Sequence, residues 1–306
     1  MDVSNEKVRV ICGPTAAGKT RVAMWLATRS DVSIVSADSR QIYRAFDVGT
    51  AKPSHAERAE IPHYGIDVAN PEDRASAAWW ADRADQWIAQ IGSDGRTPLV
   101  VGGTGLYLRA LFGQLFAEPA LDPDRRLAIQ VALESFPVPE LRRWTTALDP
   151  GRSHLGRTQL LRSIEIALLT GYRLSTLHRT EARAPRRAAR YLVVDPGSRL
   201  ATDIAERTRR MLGEGWIEEV RRLRDVVPHD APAWNASGYG TIRELIEGRI
   251  SAATAEERIV IETRQYAKRQ RTWFRHQLPG ADVTLLDPFA PDWTDRALAW
   301  WSGAAS

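Results

Sequence analysis

The string GPTAAGKT at residues 13–20 constrains this chain more than any other, because it follows directly on the β-branched run VRVIC and opens directly into the helical pattern TRVAMWLATRS. Strand, glycine loop and helix in that order build an anion cradle. Backbone N–H groups converge on the anion and the helix adds its positive end. Gly13, Gly18, Lys19 and Thr20 satisfy the full G-x-x-x-x-G-K-[ST] pattern, with Pro14, Thr15, Ala16 and Ala17 between them. Lys19 supplies a mobile positive charge, and the Thr20 hydroxyl suits magnesium. The motif fixes a phosphate and leaves open whether a nucleoside triphosphate or a diphosphate ester carries it.

VSIVSAD at 32–38 and TPLVVGGTG at 97–105 read as two more buried strands, and YLVVD at 191–195 as a later one. SAAWWADRADQWIAQIG between them has helical spacing. Strands alternating with helices predict an α/β fold: a P-loop, nucleotide-kinase-like parallel sheet with helices on both faces and ligands at the carboxyl ends of the strands. From about residue 117 to 189 the strand signal gives way to charged helical patterns such as DPDRRLAIQVALESF and RTQLLRSIEIALLTG. The expected organisation is therefore a first core part at 1–116, an inserted helical subdomain at 117–189, and the last core strand with a helical carboxyl-terminal region at 190–306. TDIAERTRRMLGEGWIEEVRRLR and TAEERIVIETRQYAKRQRTWFRHQ are its long helical segments.

Composition narrows the class. Of 306 residues, 43% are hydrophobic and 26% charged, as in a globular protein. Lys and Arg exceed Asp and Glu by only 42 to 38, so a basic partner surface has to come from clustering. The lone Cys12 excludes a disulfide framework and fits a reducing cytosol. No apolar run approaches the ~20 residues of a membrane span, and the amino terminus lacks a signal-peptide core. A cytoplasmic protein without membrane association is expected.

Asp38 ends the second strand among Ser36, Ser39 and Gln41. On position alone it reads as a helix N-cap or as a proton acceptor, two compatible roles. GGTGLY ends the third strand and places the Thr104 hydroxyl toward the same crevice. In TRQYAKRQRTWFRHQ, Arg264, Lys268, Arg271 and Arg275 recur at one helical face, with Arg269 apart and Tyr266, Trp273 and Phe274 interleaved. A second basic cluster, HRTEARAPRRAAR, lies at 178–190. A solvated helix face explains such a stripe, and so does an RNA backbone with splayed bases; the interleaved aromatics favour RNA.

Taken in order, GPTAAGKT, SADSRQIYR, GTAKP, IPHYGID, VGGTGLYLRAL, RSIEIALLTG and YAKRQRTWFR resemble the bacterial tRNA dimethylallyltransferase family, also called tRNA isopentenyltransferases, over nearly the whole chain. The resemblance implies transfer of a dimethylallyl group from dimethylallyl diphosphate to N6 of the adenosine 3′-adjacent to the anticodon in tRNA. It implies that residues 13–20 and Arg207 hold the diphosphate, with Mg2+ at Thr20. Asp38 becomes the base, with Thr104 at the reacting centre and Lys19 and Arg207 stabilising the leaving group. The tRNA contacts it implies fall on Asp38, Ser39, Arg40 and Gln41, on Thr158, Gln159 and Arg162, on the 235–240 segment with Gly238 and Tyr239, and on Lys268, Arg269, Gln270, Arg271, Trp273 and Arg275. A monomer is expected. The chain departs from the family pattern at Asp203, Gly240, Thr241, Gln159 and Ser163. Competing readings are an adenylate (AMP) prenyltransferase, an ATP-dependent small-molecule kinase and a non-catalytic RNA-binding module.

Overall fold

A computed structural model describes residues 7–113, 121–180 and 184–303. The chain divides into two compact units, one made of Met1–Phe112 with Arg186–Ser306, the other of Gly113–Pro185.

The first unit is built on a six-stranded sheet in the order β3-β2-β4-β1-β5-β6, parallel throughout. Its strands are β1 (Val8–Cys12), β2 (Val32–Ser36), β3 (His63–Tyr64), β4 (Thr97–Gly102), β5 (Ala189–Val194) and β6 (Val283–Leu286). The helices that precede the second unit are α1 (Lys19–Ala27), α2 (His55–Glu60), α3 (Ala77–Ser93) and α4 (Gly105–Phe112). Those of the second unit are α5 (Pro123–Glu134), α6 (Val138–Leu148), α7 (Arg157–Thr170) and α8 (Leu174–Thr180). The first unit then resumes with α9 (Leu200–Gly213), α10 (Trp216–Arg224), α11 (Tyr239–Ile246), α12 (Ala252–Gln277) and α13 (Trp293–Ser302).

Both sheet faces are buried, which is why the strands read as continuous apolar runs. Ile11, Ile34, Leu99, Leu192 and Leu286 form one face and pack with Val22 and Leu26 of α1, Ile204 of α9 and Trp300 of α13. The residues of opposite parity, Val10, Val35, Val100 and Tyr191, are also buried. Phe112 of α4 meets Tyr191 edge-on there, with ring centroids 6.2 Å apart. Trp80 of α3 stacks on Tyr107 of α4 at 4.7 Å and donates from Nε1 to the Ser36 carbonyl at 3.0 Å. In the second unit Leu133, Leu141, Leu160 and Ile164 make a small core of their own.

The four strands expected from sequence form, and the structure adds two. β3 is only two residues long, and β6 is half exposed, so neither carries an apolar run that the sequence could display. The 202–224 segment, read as helical throughout, breaks at Gly215, whose φ of 97° no helix interior accepts. Of the basic cluster at 178–190, residues 181–183 lie outside the described residues, and three of its arginines have partners within the fold. Arg186 pairs with Asp82, Arg187 with Asp85, and Arg190 donates to the Trp301 carbonyl. Among the described residues no helix is long and apolar enough to cross a membrane.

Strand ends are packed tightly enough to require glycine. A Cβ at Gly13, whose φ is 146°, would lie 2.2 Å from the Val194 carbonyl oxygen. At Gly92, exposed on α3, nothing lies within 4 Å of the added carbon. Denaturant unfolding should therefore show Gly13→Ala destabilised by roughly 2–4 kcal/mol through strain and overpacking. Gly92→Ala should be stabilised by about 0.5–1 kcal/mol from helix propensity and unfolded-state entropy.

Candidate active site

The carboxyl ends of β1, β2 and β4 open into a crevice of about 850 Å³. Thr15, Ala16, Ala17, Gly18, Lys19 and Thr20 line it, as do Asp38, Arg40, Gln41, Arg207, Arg269 and Gln270. Gly13 and Pro14 support the loop from behind: Gly13 abuts β5, and the Pro14 carbonyl accepts Lys19 Nζ at 2.7 Å. Gly18, at φ 86°, turns the chain into α1, so the first amides of that helix face the loop.

Lys19 and Arg207, both half-buried, bring positive charge to the crevice beside Asp38. Burial pulls the Lys19 ammonium down to about 8, with Asp38 opposing and Arg207 adding to the fall. Burial also lowers Arg207, again against Asp38 and with Arg210. Two partly desolvated cations thus lie close to the Asp38 carboxylate, an arrangement that favours an incoming anion. Arg207 Nη1 donates to Thr15 Oγ1 at 3.2 Å, which fixes it against the loop. Burial pushes the neighbouring Cys12 thiol far above its ordinary value, so it is a packed apolar group rather than a nucleophile. Asp203 also lines the crevice. One of its oxygens takes Arg199 Nε at 3.0 Å and the other is buried without a partner.

Asp38 begins no helix. The chain turns after it, and its Oδ1 accepts the Arg40 N–H at 2.8 Å, closing an Asx turn rather than capping a helix. Thr104 sits directly across from it in the fold. The Thr104 N–H donates to the Ala37 carbonyl at 3.1 Å and its Oγ1 accepts the Ser39 N–H at 3.0 Å. Burial and Asp38 raise the Tyr266 phenol to about 12, against the lowering by Arg40 and Thr104. Asp38, Thr104 and Tyr266 therefore form one neighbourhood beside the phosphate loop.

Several residues expected to touch RNA also have partners within the fold. Tyr239 is fully buried and its hydroxyl donates to Glu219 Oε1 at 2.6 Å. Gly238 opens α11 against the Trp216 ring, where an added Cβ would come within 2.4 Å. Arg271 is bound to both Asp195 oxygens and to the Gly197 carbonyl, and Arg264 donates to the Ala201 carbonyl. The Trp273 ring covers Gly105. Gln41 is held by the Thr50 and Ala51 carbonyls at 3.3 and 3.1 Å. Gln270 is buried between the phosphate loop and β4. Lys268, Arg269 and Arg275 remain exposed on α12. Thr158, Gln159 and Arg162 stand on α7, where Arg162 pairs with the buried Glu165.

Sequence pattern alone did not single out Glu219 or Lys52. The Glu219 carboxylate accepts the Asp47 and Val48 N–H groups at 2.9 and 2.7 Å, and so shapes the GTAKP loop. Lys52, 2% exposed at its side chain, donates to the Tyr43 carbonyl and to Asp47 and Asp67. Burial alone would raise Asp67; Lys52 and Arg58 outweigh it and hold the carboxyl below its usual range. The motif lysine is a knot in the crevice wall. For Glu219 the only sequence signal is its place on the apolar stripe Trp216, Val220 and Leu223 of α10, all buried.

Fold and crevice together define an α/β P-loop protein whose anion loop shares a crevice with the Asp38 carboxylate. The family model described as IPP transferase matches residues 41–277, and one described as Isopentenyl transferase matches residues 6–63. The chain is 41% identical to the tRNA dimethylallyltransferase of Gloeobacter violaceus, over 93% of each chain. It is 42% identical to that of Synechococcus sp. strain JA-3-3Ab, over 97% of this chain and 88% of the relative. The full-length tRNA isopentenylpyrophosphate transferase from Bacillus halodurans superposes with a TM-score of 0.69 at 30% identity, covering 98% of this chain and 96% of that one. A eukaryotic dimethylallyltransferase acting on tRNA shares the fold, with a TM-score of 0.80 at 24% identity over 96% of this chain and 78% of that one. The chain belongs to the IPP transferase family.

The depressed Lys19 has a pH signature. Only the ammonium attracts an anion, so affinity for pyrophosphate should fall about tenfold per pH unit above about 8. Lys19→Arg, charged throughout, should bind with a flat profile to pH ~10, as titration calorimetry can check. Between about 8 and the ordinary value of 10.5 the unfolded chain binds the extra proton, so this group makes stability rise with pH across that window.

Proposed function

We propose that this chain transfers a dimethylallyl group from dimethylallyl diphosphate to N6 of the adenosine 3′-adjacent to the anticodon in tRNA. The carrying observation is the crevice in which half-buried Lys19 and Arg207 and the phosphate loop meet Asp38, with Thr104 held beside Asp38 through the Ser39 N–H, in a chain of this family.

The adenine N6 lone pair is delocalised into the ring, so the rate has to come from alignment, proton removal and leaving-group stabilisation. N6 bonds to C1 of the dimethylallyl group as the C1–O bond to diphosphate breaks. The N6 proton passes to the Asp38 carboxylate, and Lys19, Arg207 and the loop amides receive the charge that develops on diphosphate. Thr104, fixed by Ser39 and Ala37, positions the reacting atoms. The target base leaves its stack to enter the crevice, at a cost of a few kcal/mol that a single-stranded loop keeps low. The exposed Lys268, Arg269 and Arg275 supply phosphate contacts.

Hard oxygen donors suit Mg2+, and the Thr20 hydroxyl and Asp38 both line the crevice. When bound through Thr20 and the diphosphate oxygens, Mg2+ would add neutralising charge to the leaving group. Among the described residues no group of three or more His, Cys, Asp or Glu could hold a metal without substrate.

The reading is tested by nucleoside mass spectrometry of tRNA incubated with the protein and dimethylallyl diphosphate. A dimethylallylated adenosine supports it; phosphate transfer from ATP, or modification of free AMP alone, refutes it. Asp38→Asn keeps an oxygen for the Arg40 N–H and should fold normally. Its single-turnover transfer rate should drop by ~10²–10⁴ with tRNA affinity unchanged. Replacing Lys268, Arg269 and Arg275 together by Gln should flatten the salt dependence of tRNA binding by about 0.7–0.9 log units of slope for each phosphate no longer neutralised.

A further inference from the structure

Gln270 lies in the carboxyl-terminal third of α12 and is only 7% exposed. Its Oε1 accepts the Thr15 N–H at 2.8 Å, and its Nε2 donates to the Gly103 carbonyl at 2.8 Å. One amide thus ties the tip of the phosphate loop to the glycine pair that ends β4. The approach depends on Gly103, where an added Cβ would lie 2.4 Å from Nε2.

The Thr15 N–H belongs to the same peptide plane as the Pro14 carbonyl. That carbonyl is the acceptor on which Lys19 Nζ rests at 2.7 Å. A planar peptide cannot turn one group without the other, so holding the N–H sets the direction of the carbonyl. Arg207 grips the same residue through Thr15 Oγ1 at 3.2 Å. Lys19 therefore takes its place from the peptide that Gln270 holds, and Arg207 rests on the side chain of the same residue.

We infer that Gln270 is a positioning residue for the phosphate loop: it fixes the Pro14–Thr15 peptide and through it Lys19. The consequence for transfer rests on the reading above, whereas the consequence for binding an inorganic diphosphate does not. Free in its orientation, the peptide would rotate, and the loop would have to be ordered again each time an anion binds.

Gln270→Met preserves volume and removes both hydrogen bonds. By calorimetry, affinity for inorganic pyrophosphate with Mg2+ should fall about tenfold, because the loop would then be ordered at the expense of binding. The KM for dimethylallyl diphosphate should rise on the same scale, while the Kd for an anticodon stem-loop RNA stays within about twofold. Gln270→Glu retains the acceptor for Thr15, loses the donor to Gly103 and places an anion beside the loop. It should also bind pyrophosphate more weakly, and it serves if the Met variant fails to fold. Unchanged pyrophosphate affinity in the folded variants overturns the inference, whether RNA binding weakens, which would make Gln270 an RNA contact, or stays as it was. A wild-type protein that binds pyrophosphate but transfers nothing would overturn the proposed function and leave this inference standing or falling on the pyrophosphate result.

Discussion

The first unit depends on the packing of α12 against the carboxyl ends of the parallel strands. A parallel sheet delivers loops to one edge, but loops of the 13–20 and 102–105 kind have few apolar atoms with which to hold their own shape. α12 provides the support. Gln270 reaches the phosphate loop and Gly103, Trp273 covers Gly105, and Arg271 binds Asp195 at the end of β5. Ala267 and Phe274 bury the same helix face in the core. One helix thus fixes the ends of three strands relative to one another, and its opposite face stays exposed and basic.

Within that frame the crevice is an electrostatic device. Desolvated Lys19 and Arg207 are costly unless an anion joins them, and Asp38 alone compensates only in part. The fold maintains this imbalance with packing elsewhere: the Glu219 carboxylate gathers the 47–49 amides, and Lys52 gathers Asp47 and Asp67. These buried polar knots hold the wall opposite the phosphate loop in one shape. The departure at Asp203 adds an acid to the same wall, paired with Arg199 on one oxygen alone. The departure at Thr241 is accommodated by its hydroxyl donating to Glu262 Oε1 at 3.1 Å.

Local pattern made much of this legible. The loop GPTAAGKT, the central strands and the long amphipathic helices are encoded by residues near in sequence, and they form where the pattern put them except at the Gly215 break between α9 and α10. β3 and β6 were not legible because pairing with neighbours, not an apolar run, makes them strands. The fate of the arginines was not legible either. A stripe at helical spacing says which residues share a face, but Arg264 and Arg271 bend back onto carbonyls and a carboxylate that arrive from distant segments. Gln270 carried a readable signal: Ala267, Gln270 and Phe274 recur at three- and four-residue steps, which puts the amide on the buried face despite its basic neighbours. Asp38 shows the converse, since its polar setting was plain and only the fold showed that no helix follows.

If one crevice holds the diphosphate and the acceptor adenine together, a crystal structure with an unreactive thio-analogue of dimethylallyl diphosphate and an anticodon stem-loop tests that most directly. The diphosphate oxygens should lie on Lys19, Arg207 and the loop amides, beside a flipped adenine whose N6 is about 3 Å from the Asp38 carboxylate and about 3–3.5 Å from C1 of the allyl group. An adenine bound away from Asp38, or a diphosphate seated elsewhere than on residues 15–20, would contradict this arrangement.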